Sequence, residues 1–521
     1  MAATVALVIN CRGDVIVGLH HVYSQERTMR LSSFKPTKTP LQLAILGLLC
    51  LTGCAVGPNY QQPDLHGSVP TQFNQIEGSN LATAPAINDR WWQTWNDAAI
   101  TQLVELALAR NLDLASADAS IKQARAQLTM IDSSYQPQIN ADGRIGRDQF
   151  SKNSENFANI PFPNPKIGFT DYRVGLDASW ELDLFGATAR SVEAGKARVA
   201  SIELQRQDLS LRIAAEVVRN VIDYRTYQAR VKNAEAMLAD SKQLLEIATI
   251  QQKAGLLSNS DLMDAQVAVH NTEAMISPLK SAATSTLLSL SVLVNQQQEQ
   301  VSSILSSAKS DSIDATTINS IGVPSDLLLR RPDLRSAERQ LAAATADIGV
   351  AVAAQYPQIN LVGNLGLDTI TPGKLTDLAS RYWSLGPQLS IPLLNGGRLS
   401  AQVSSKEAAR DAAIANYRQA VLAAFADTES ALIRYQREQQ RLGQIRAAYS
   451  AQQQQFGYAE KRYQLGDTNY ANVLQARLQL AQLHDTELTS QQALGENLTA
   501  LYKALGGGVV GAPESASIRL K

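Results

Sequence analysis

The chain has 521 residues, a formal net charge of −1 and only 6% aromatic residues. This length exceeds what one hydrophobic core usually serves, so several units or an elongated architecture are expected. The near-zero charge argues against nucleic acid or anionic lipid as a partner. All three cysteines lie within the first 54 residues and the histidines are scattered, which excludes a disulfide scaffold and predicts no metal site and no cofactor in the main body.

The first predicted element is an export signal. Basic residues precede the mostly apolar run 41–51, which is too short to span a bilayer but suits the core of a signal peptide. The run continues into Leu-Thr-Gly-Cys54, the order of residues in a bacterial lipobox rather than a chance cysteine. We therefore predict a lipoprotein signal peptide over 29–53, with Cys54 acylated and holding the mature chain to a membrane.

The segment before this signal does not fit a signal peptide. Met29 stands where a start is expected, so we predict that translation begins there and that residues 1–28 are a non-native extension. A peptide from residues 1–28 in a cell extract would refute this prediction.

The main body contains an internal duplication. Residues 113–140 align with 333–360 at a constant shift of 220, with ten of 28 positions identical. Further on the shift becomes 211, and the first copy carries a longer, proline-rich loop between positions 140 and 175. The sequence thus predicts two copies of one unit, over 101–305 and 325–505.

Each copy shows the same predicted order: helix, strand, loop, strand, long helix, glycine turn, helix. Alternating runs of about ten residues suit transmembrane strands around a wet lumen, but also soluble hairpins with one buried face. On alternation alone the soluble hairpin is the better interpretation. The lipobox and the lack of another compact core favour the membrane. The strands are predicted over about 137–150, 170–185, 357–369 and 382–394.

Four strands cannot close a membrane barrel, because even the smallest barrels have about eight. An open sheet edge in lipid would leave its N–H and C=O groups unsatisfied, so strands from several chains must combine. A homotrimer, which gives about twelve strands, is the simplest solution. The predicted fold class is therefore mainly α with a transmembrane β part, in which long coiled coils adjoin a 12-stranded trimeric barrel and the chain is internally duplicated.

The long helices are predicted from the absence of proline. Neither 186–255 nor 397–466 contains one, and at about 1.5 Å per residue each would reach roughly 100 Å. Such lengths without a globular core indicate coiled-coil packing.

Short motifs are spread along nearly all of the predicted mature chain. They are Cys54-Ala-Val-Gly57-Pro58-Asn-Tyr60-Gln-Gln-Pro63, Trp91-Trp92, Trp180-Glu-Leu-Asp-Leu-Phe-Gly186, Leu328-Leu329-Arg330-Arg331-Pro332-Asp333 and Asn395-Gly396-Gly397-Arg398. With these motifs the chain resembles the TolC/OprM outer-membrane efflux family, in its NodT-like lipoprotein branch. Pro332 and Asp333 also suit the start of a helix, and Trp180 suits either a membrane-interface anchor or ordinary packing.

The resemblance implies a lipid-anchored trimer in the outer membrane with a large periplasmic helical tunnel. Residues 54–100 and 506–521 would be the anchor, the equatorial segment and the tail. The implied function is a passive exit duct for drugs or other small molecules, with no catalytic residues. The implied partners are a periplasmic membrane-fusion adaptor and an inner-membrane transporter of the RND type.

Three other functions compete with this one. The outer-membrane duct of a type I protein secretion system shares the fold and differs only in cargo. A periplasmic adaptor also has coiled-coil hairpins, but would not need two alternating strand pairs. An enzyme is not supported, because the chain lacks Gly-x-Ser-x-Gly, His-Glu-x-x-His and nucleotide-binding motifs.

The two glycine turns that reverse the coiled coils are Gly255-Leu256 and Gly466-Asp467. The resemblance implies that they lie at the inner end of the tunnel, where an adaptor docks and where rings of Asp and an Arg/Tyr network keep the aperture closed. This sequence departs from the archetype, since Asn472 and Gln475 stand where the archetype carries Asp.

Our hypothesis is that Asp261, Asp264 and Asp467 form a polar constriction at this end, with Tyr463 and Asn472 bonding across neighbouring helices. Symmetry-related carboxylates near one axis repel one another and favour cations. The alternative is that these residues cap helices after a glycine turn, as Asp and Asn commonly do. The sequence leaves both interpretations open.

Overall fold

The computed structural model describes residues 8–9, 15–16, 55–63, 90–151, 167–307 and 330–507. Cys54, the whole predicted signal region 29–53 and most of the C-terminal tail lie outside the described residues. The chain divides into two compact units. The sheet unit comprises Met1–Tyr60, Gln127–Lys196 and Ala342–Arg410, and the helical unit comprises Gln61–Ala126, Ala197–Leu341 and Asp411–Lys521.

The sheet unit contains one four-stranded antiparallel sheet. A separate short pair, β1 (Val8–Ile9) and β2 (Val15–Ile16), precedes it in the chain. The four long strands are β3 (Gln138–Gln149), β4 (Gly168–Leu182), β5 (Gln358–Thr369) and β6 (Arg381–Ser390). Their order is β3-β4-β5-β6, so within the described residues β3 and β6 are each paired on one side only. The prediction of four strands is confirmed.

The register of the sheet places the alternating apolar residues on one face. Leu176 pairs with Leu365, and Leu365 pairs with Trp383. These three side chains are 48%, 57% and 71% exposed, although each is large and apolar. The opposite face is polar, where Asn140 donates to Asp177 at 3.1 Å. Because side chains alternate across a strand, the sheet presents one apolar and one polar surface.

Two strands end a few residues before the approximate bounds that were predicted. Strand β6 ends at Ser390 and does not reach 394, because its partner β5 begins at Gln358, which pairs with Ser390. Strand β4 ends at Leu182, three residues before the predicted 185. The carboxylate of Asp183 instead accepts hydrogen bonds from the backbone N–H groups of Thr188 and Ala189, at 3.1 and 2.8 Å, so the residues after β4 form the turn into the next helix.

Eight α-helices are present in the described part of the chain. They are α1 (Ala98–Arg110), α2 (Leu112–Asp132), α3 (Ala187–Lys253), α4 (Asn259–Val294), α5 (Gln298–Ser307), α6 (Pro332–Ala353), α7 (Arg398–Gln464) and α8 (Tyr470–Ala504). Short 3-10 helices cover Trp91–Trp95, Ser133–Tyr135, Pro372–Lys374 and Leu378–Ser380. Helices α3 and α7 each have 67 residues, and the prediction of two long helices is confirmed.

None of the helices in the described ranges combines the length and the apolarity that a membrane crossing requires.

The helical unit interleaves the two copies. Arg230 on α3 of the first copy makes two hydrogen bonds to Asp485 on α8 of the second, at 2.9 and 3.0 Å. Close by, the Asn233 amide donates to the carbonyl of Ala481 at 2.8 Å. Paired, directional contacts of this kind fix the register of two helices whose small side chains alone would specify it weakly. The long helix of one copy is therefore a packing partner of the last helix of the other.

The Trp91-Trp92 motif forms part of a small core at the start of the helical unit. Trp91, Trp92 and Trp95 are at most 7% exposed. The ring of Trp91 stacks on that of Tyr502 with centroids 5.1 Å apart. Aromatic side chains bury large areas, so these three residues attach the segment before α1 to the last helix of the chain.

The Arg-Arg-Pro-Asp motif is a helix clamp. Arg331 makes a bidentate ion pair with Asp333, and its Nη1 donates to the carbonyls of Ala504 and Ala424 at 3.2 and 3.4 Å. Burial alone would raise the pKa of Asp333, but the hydrogen bonds and charge of Arg331 hold that pKa below its usual range. Pro332 and Asp333 open α6, as predicted, and the guanidinium of Arg331 joins that helix start to α7 and α8.

Arg331→Ala is expected to lower the thermal unfolding midpoint of the detergent-purified protein markedly. The change leaves Asp333 without its cation and takes one donor away from each of two backbone carbonyls. Because the Asp333 side chain is 38% exposed, the loss should be about 1–3 kcal/mol, which is less than for a fully buried pair. Arg434→Ala is the matched control, since Arg434 lines a cavity together with Arg331 and Asp333 but is exposed. Equal midpoints for the two variants would contradict the clamp. Circular dichroism during heating measures both.

Candidate functional site at the two helix-reversing turns

Both turns are built on a glycine that ends a long helix. Gly255 and Gly466 have φ angles of 72° and 75°, in the left-handed region that glycine adopts without strain. In the first turn, the Gly255 N–H donates to the carbonyl of Gln252 at 2.9 Å, and the Leu256 N–H donates to that of Gln251 at 2.8 Å. The second turn repeats this pair of bonds at the same two distances. These are Schellman motifs, so the duplication extends to backbone geometry.

In the first turn, Asp261 caps a helix. The Ser258 hydroxyl accepts from the Asp261 N–H at 3.2 Å, and the Asp261 carboxylate accepts from the Ser258 N–H and hydroxyl at 3.3 and 2.7 Å. This reciprocal arrangement is a capping box, which satisfies two donors at the start of α4. The contacts of Asp261 within its own chain are thus those of a helix-capping residue.

In the second turn, Asp467 is held by an arginine of its own helix end. The Arg462 Nε donates to the Asp467 carboxylate at 2.8 Å, and both side chains are exposed. A Schellman motif usually places an apolar contact between these two positions. The first turn has Gln251 and Leu256 there, and Leu256 is 79% exposed. The two turns therefore share a backbone but differ in chemistry.

Two aromatic rings and an amide complete the second turn. The rings of Tyr463 and Tyr470 lie 5.2 Å apart and join the end of α7 to the start of α8. Asn469 caps α8 by accepting from the Asn472 N–H at 3.0 Å, and the Asn472 amide donates to the hydroxyl of Thr468 at 2.7 Å. Within its own chain Asn472 therefore bonds locally, and the bonds expected across neighbouring helices remain a prediction.

The last two predicted site residues lie one turn further along their helices. Asp264 on α4 and Gln475 on α8 are both exposed, and neither shows a hydrogen bond or ion pair within the described residues. At the shift of 211, Asp261 corresponds to Asn472 and Asp264 to Gln475. The first copy thus carries carboxylates where the second carries amides.

Sequence reasoning missed several residues of these turns. Ser258 with Asp261 three positions later follows the spacing of a capping box, a signal that was available. Arg462 lies five positions before Asp467, and its role follows only once a Schellman turn brings those positions together. The tips of the turns, Leu256 and Leu465, are 79% and 84% exposed.

Asp261→Ala together with Asp467→Ala is expected to raise single-channel conductance. The double change removes the capping box and frees Arg462 from its carboxylate, so both turns lose a contact that fixes their shape. Planar-bilayer recording measures the effect. Unchanged conductance would leave these two residues only their local structural roles.

Comparison with known sequences bears on the whole of this architecture. Residues 103–296 and 323–507 match the sequence model of the family described as outer membrane efflux protein. The two spans together make up more than half of the 521 residues. The chain belongs to the outer membrane efflux protein family. The predicted family resemblance is confirmed, and the matched spans fall on the two copies of the duplicated unit.

Individual relatives of this efflux protein match over nearly their whole length. Nodulation protein T of Rhizobium leguminosarum bv. viciae is 29% identical over 485 residues, which are 92% of this chain and 95% of that protein. The cation efflux system protein CusC of Escherichia coli O6:H1 is 27% identical over 461 residues, 88% of this chain and 97% of that protein. The solved outer-membrane channel OprN is 30% identical with a TM-score of 0.77, over 88% of this chain and 100% of that chain.

These comparisons establish the function at the level of the family. The Campylobacter jejuni CmeC outer-membrane channel has a TM-score of 0.78 at 22% identity, so it shares the fold. OprN is described as an outer-membrane channel, and CusC is named as a protein of a cation efflux system. This efflux protein is therefore an outer-membrane exit duct, as predicted, and the family consists of channels rather than enzymes.

A polar network that the sequence did not reveal lies in the helical unit of this efflux protein. The Gln492 amide nitrogen donates to the carboxylates of both Asp223 and Glu496, at 2.8 and 2.9 Å. Burial, and then the neighbouring Asp223 carboxylate, raise the pKa of Glu496 to about 7. Arg219 opposes this shift. Helices α3 and α8 are thus joined through a pair of acidic groups that resist being charged together.

The stability of the protein is expected to fall as pH rises from about 5 to 7. Between its unfolded pKa near 4.5 and its folded pKa of about 7, Glu496 binds more protons in the folded state, so raising the pH favours unfolding. Allowing for solvent screening, the effect is on the order of 1–2 kcal/mol. Glu496→Gln should flatten this slope in thermal unfolding measured across pH. Glu460→Gln, at an exposed position, should leave the slope unchanged. An unchanged slope in Glu496→Gln would contradict the raised pKa of Glu496 as its cause.

Proposed function

We propose that this family member is a lipid-anchored, homotrimeric exit duct that passively conducts small molecules across the outer membrane. It would receive them from a periplasmic membrane-fusion adaptor and an inner-membrane transporter of the RND type. The observation that carries the proposal is the four-stranded sheet, whose two outer strands each lack a partner within the described residues.

The sheet favours a shared barrel. Its apolar face includes exposed residues such as Trp383 and Leu385, at 71% and 69%, and a lipid environment accounts for such exposure. In lipid, the open edges of β3 and β6 would each leave a row of backbone groups unsatisfied. Pairing β3 of one copy with β6 of the next satisfies both edges, and three copies supply the roughly twelve strands of a closed barrel.

The lipobox at Cys54 supports the lipid anchor, which would hold the N-terminus of each subunit to the same membrane. The relatives support small-molecule cargo, because their names include cation, toluene and antibiotic efflux. Such different cargoes on one fold indicate that the transporter rather than the duct selects the substrate. The absence of a nucleotide-binding motif from the sequence is consistent with energy supplied by that transporter.

The turns support the gate and the docking of the adaptor. Gly255 and Gly466 end their helices with no neighbouring atom within 4 Å of an added Cβ, so both tips are open to a partner. The carboxylates of Asp261, Asp264 and Asp467 are exposed near these tips. In a trimer they would form rings around one axis and favour cations.

Single-channel recording of the mature protein in a planar bilayer, with its oligomer mass measured in detergent, tests the proposal. The expected result is a trimer with a small, cation-selective conductance, indicating a pore whose inner aperture is mostly closed. A monomer without conductance would refute the duct. Addition of the purified adaptor to the trimer should then raise the conductance.

A further inference from the structure

The residues that follow Cys54 dock on the junction between strand β4 and helix α3. The Val56 N–H donates to the carbonyl of Phe185 at 3.1 Å. A Cβ added to Gly186 would lie 2.5 Å from the Cα of Ala55, so these two backbones are in contact. The motif after the lipobox therefore contacts the sheet unit from its first residue, Ala55, onward.

One arginine holds this segment. Arg190, on the first turn of α3, is only 5% exposed. Its guanidinium donates to the carbonyls of Val56 and Gly57 at 3.2 and 3.4 Å, and to the side-chain oxygen of Asn59 at 2.7 Å. It also pairs with Glu193 at 2.7 Å. A planar guanidinium presents five donors in a fixed fork, so it holds several acceptors in one geometry more firmly than a flexible ammonium group does.

A contact between two glycines completes the docking. Gly57 has a φ angle of 90°, and a Cβ placed on it would lie 2.5 Å from the Cα of Gly349. A Cβ placed on Gly349 would in turn lie 2.7 Å from Cγ of Arg190. Three elements, the segment 55–59, the start of α3 and the end of α6, thus meet where no side chain larger than hydrogen fits.

Aromatic side chains, which are common at a membrane–water boundary, lie at this end of the sheet. The ring of Phe185 stacks on that of Tyr356 with centroids 4.7 Å apart. The Trp180 indole N–H donates to the carbonyl of Tyr135 at 3.0 Å. Aromatic side chains with one polar and one apolar end collect at this level of a bilayer, and the apolar face of the sheet ends here, because β4 ends at Leu182.

We propose that Arg190, Gly57 and Gly349 form a clasp that positions the lipid anchor. The clasp, which rests on the proposed acylation of Cys54, leaves no free linker between the anchor residue and the protein body. It fixes the point at which the acyl chains enter the lipid, beside the end of β4. Arg190 is a positioning residue in this arrangement, and it binds the short motif that follows Cys54.

The first test measures whether the clasp closes. The predicted mature chain has no cysteine other than Cys54, so Val56→Cys supplies a thiol reporter for a membrane-impermeant maleimide. Arg190→Ala in this background is expected to raise the labelling rate about tenfold, because local opening exposes the segment. Lys196→Ala, an exposed cation on the same helix, should leave the rate unchanged. Equal rates in the two variants would overturn the clasp.

The second test separates positioning of the anchor from ordinary folding. Arg190→Ala is combined with Cys54→Ser, and the double variant is exported through a signal peptide that is cleaved without acylation. The trimers are placed in lipid nanodiscs, and their dissociation is followed on heating. If the clasp acts on the anchor, Arg190→Ala lowers the dissociation temperature in the acylated protein and adds little without the acyl group. Additive effects would overturn the positioning role. Arg190→Lys should fall between Arg190→Ala and the unchanged protein.

Mass spectrometry of the N-terminal peptide distinguishes the two ways of failing. A peptide without an acyl group on Cys54 would refute the anchor in the proposed function itself. An acylated peptide with additive effects would refute the clasp alone, and would leave the trimeric duct in place.

Discussion

The double change Asp261→Asn with Asp264→Gln gives the first turn the amides that the second turn carries. We expect it to lower the ratio of cation to anion permeability of the channel about two- to fivefold. Both carboxylates lie on the first turns of α4 and both are exposed. Three chains would place three copies of each near one axis, where like charges reinforce one another. Reversal potentials across a salt gradient in a planar bilayer measure the preference.

The design of this pair separates charge from capping. An amide at position 261 keeps an oxygen that can accept from the Ser258 N–H, so the capping box survives while the charge is lost. Glu407→Gln removes an exposed carboxylate in the sheet unit and should leave the preference unchanged. If Asp261→Asn with Asp264→Gln behaved like that control, the carboxylates would have no part in selectivity. The effect should also weaken with salt, because exposed charges are screened.

The sequence predicted the features that depend on periodicity. Alternation between Asn140 and its apolar neighbours specifies a strand with two unlike faces, and the register of β3 with β4 places them accordingly. The lack of proline over 186–255 allowed one continuous helix, and α3 has 67 residues. Such features are local or repeat along the chain, so a single sequence contains them.

The features that the sequence did not predict depend on contacts between distant positions. Arg190 holds Asn59 across 131 positions, and Arg225 holds Asp97 across 128. Nothing in the spacing of these residues links them. The carboxylate of Asp183 resembled the polar side of a strand, yet it caps α3 because the ladder has already ended. Side chains that satisfy a helix start compete with the strand pattern.

The same contrast explains why the sequence could not decide which residues close the gate. Asp261 fits a constriction and a helix cap equally well as a residue type, and its contacts within one chain display the cap. A constriction needs neighbours from other subunits, which one chain does not contain. Ring formation therefore has to be tested by conductance and selectivity rather than by contacts within the protomer.

Asp97→Ala is expected to cause one of the largest losses of stability available to a single substitution in this chain. Asp97 caps α1 by accepting from the N–H groups of Ala99 and Ile100, at 2.9 and 3.3 Å. It also forms an ion pair with Arg225 on α3, and the two side chains are only 6% and 11% exposed. Burial lowers the pKa of Arg225, so that guanidinium depends on Asp97. Losing both roles should cost about 4–6 kcal/mol, the sum of a broken buried pair and a lost cap.

Two further variants divide that cost between its causes. Asp97→Asn keeps an oxygen for the cap and loses only the charge, so it should lower the thermal unfolding midpoint by less than Asp97→Ala. Glu105→Ala breaks the exposed pair with Arg90, whose atoms are 3.6 Å apart at 55% and 53% exposure, and should cost at most about 1 kcal/mol. The buried and the exposed pair lie in the same short region of the chain, so the comparison holds local context nearly constant. If Glu105→Ala were as destabilising as Asp97→Ala, burial would not be what gives the Asp97–Arg225 pair its importance, and α1 would have to be attached chiefly by the tryptophans that precede it.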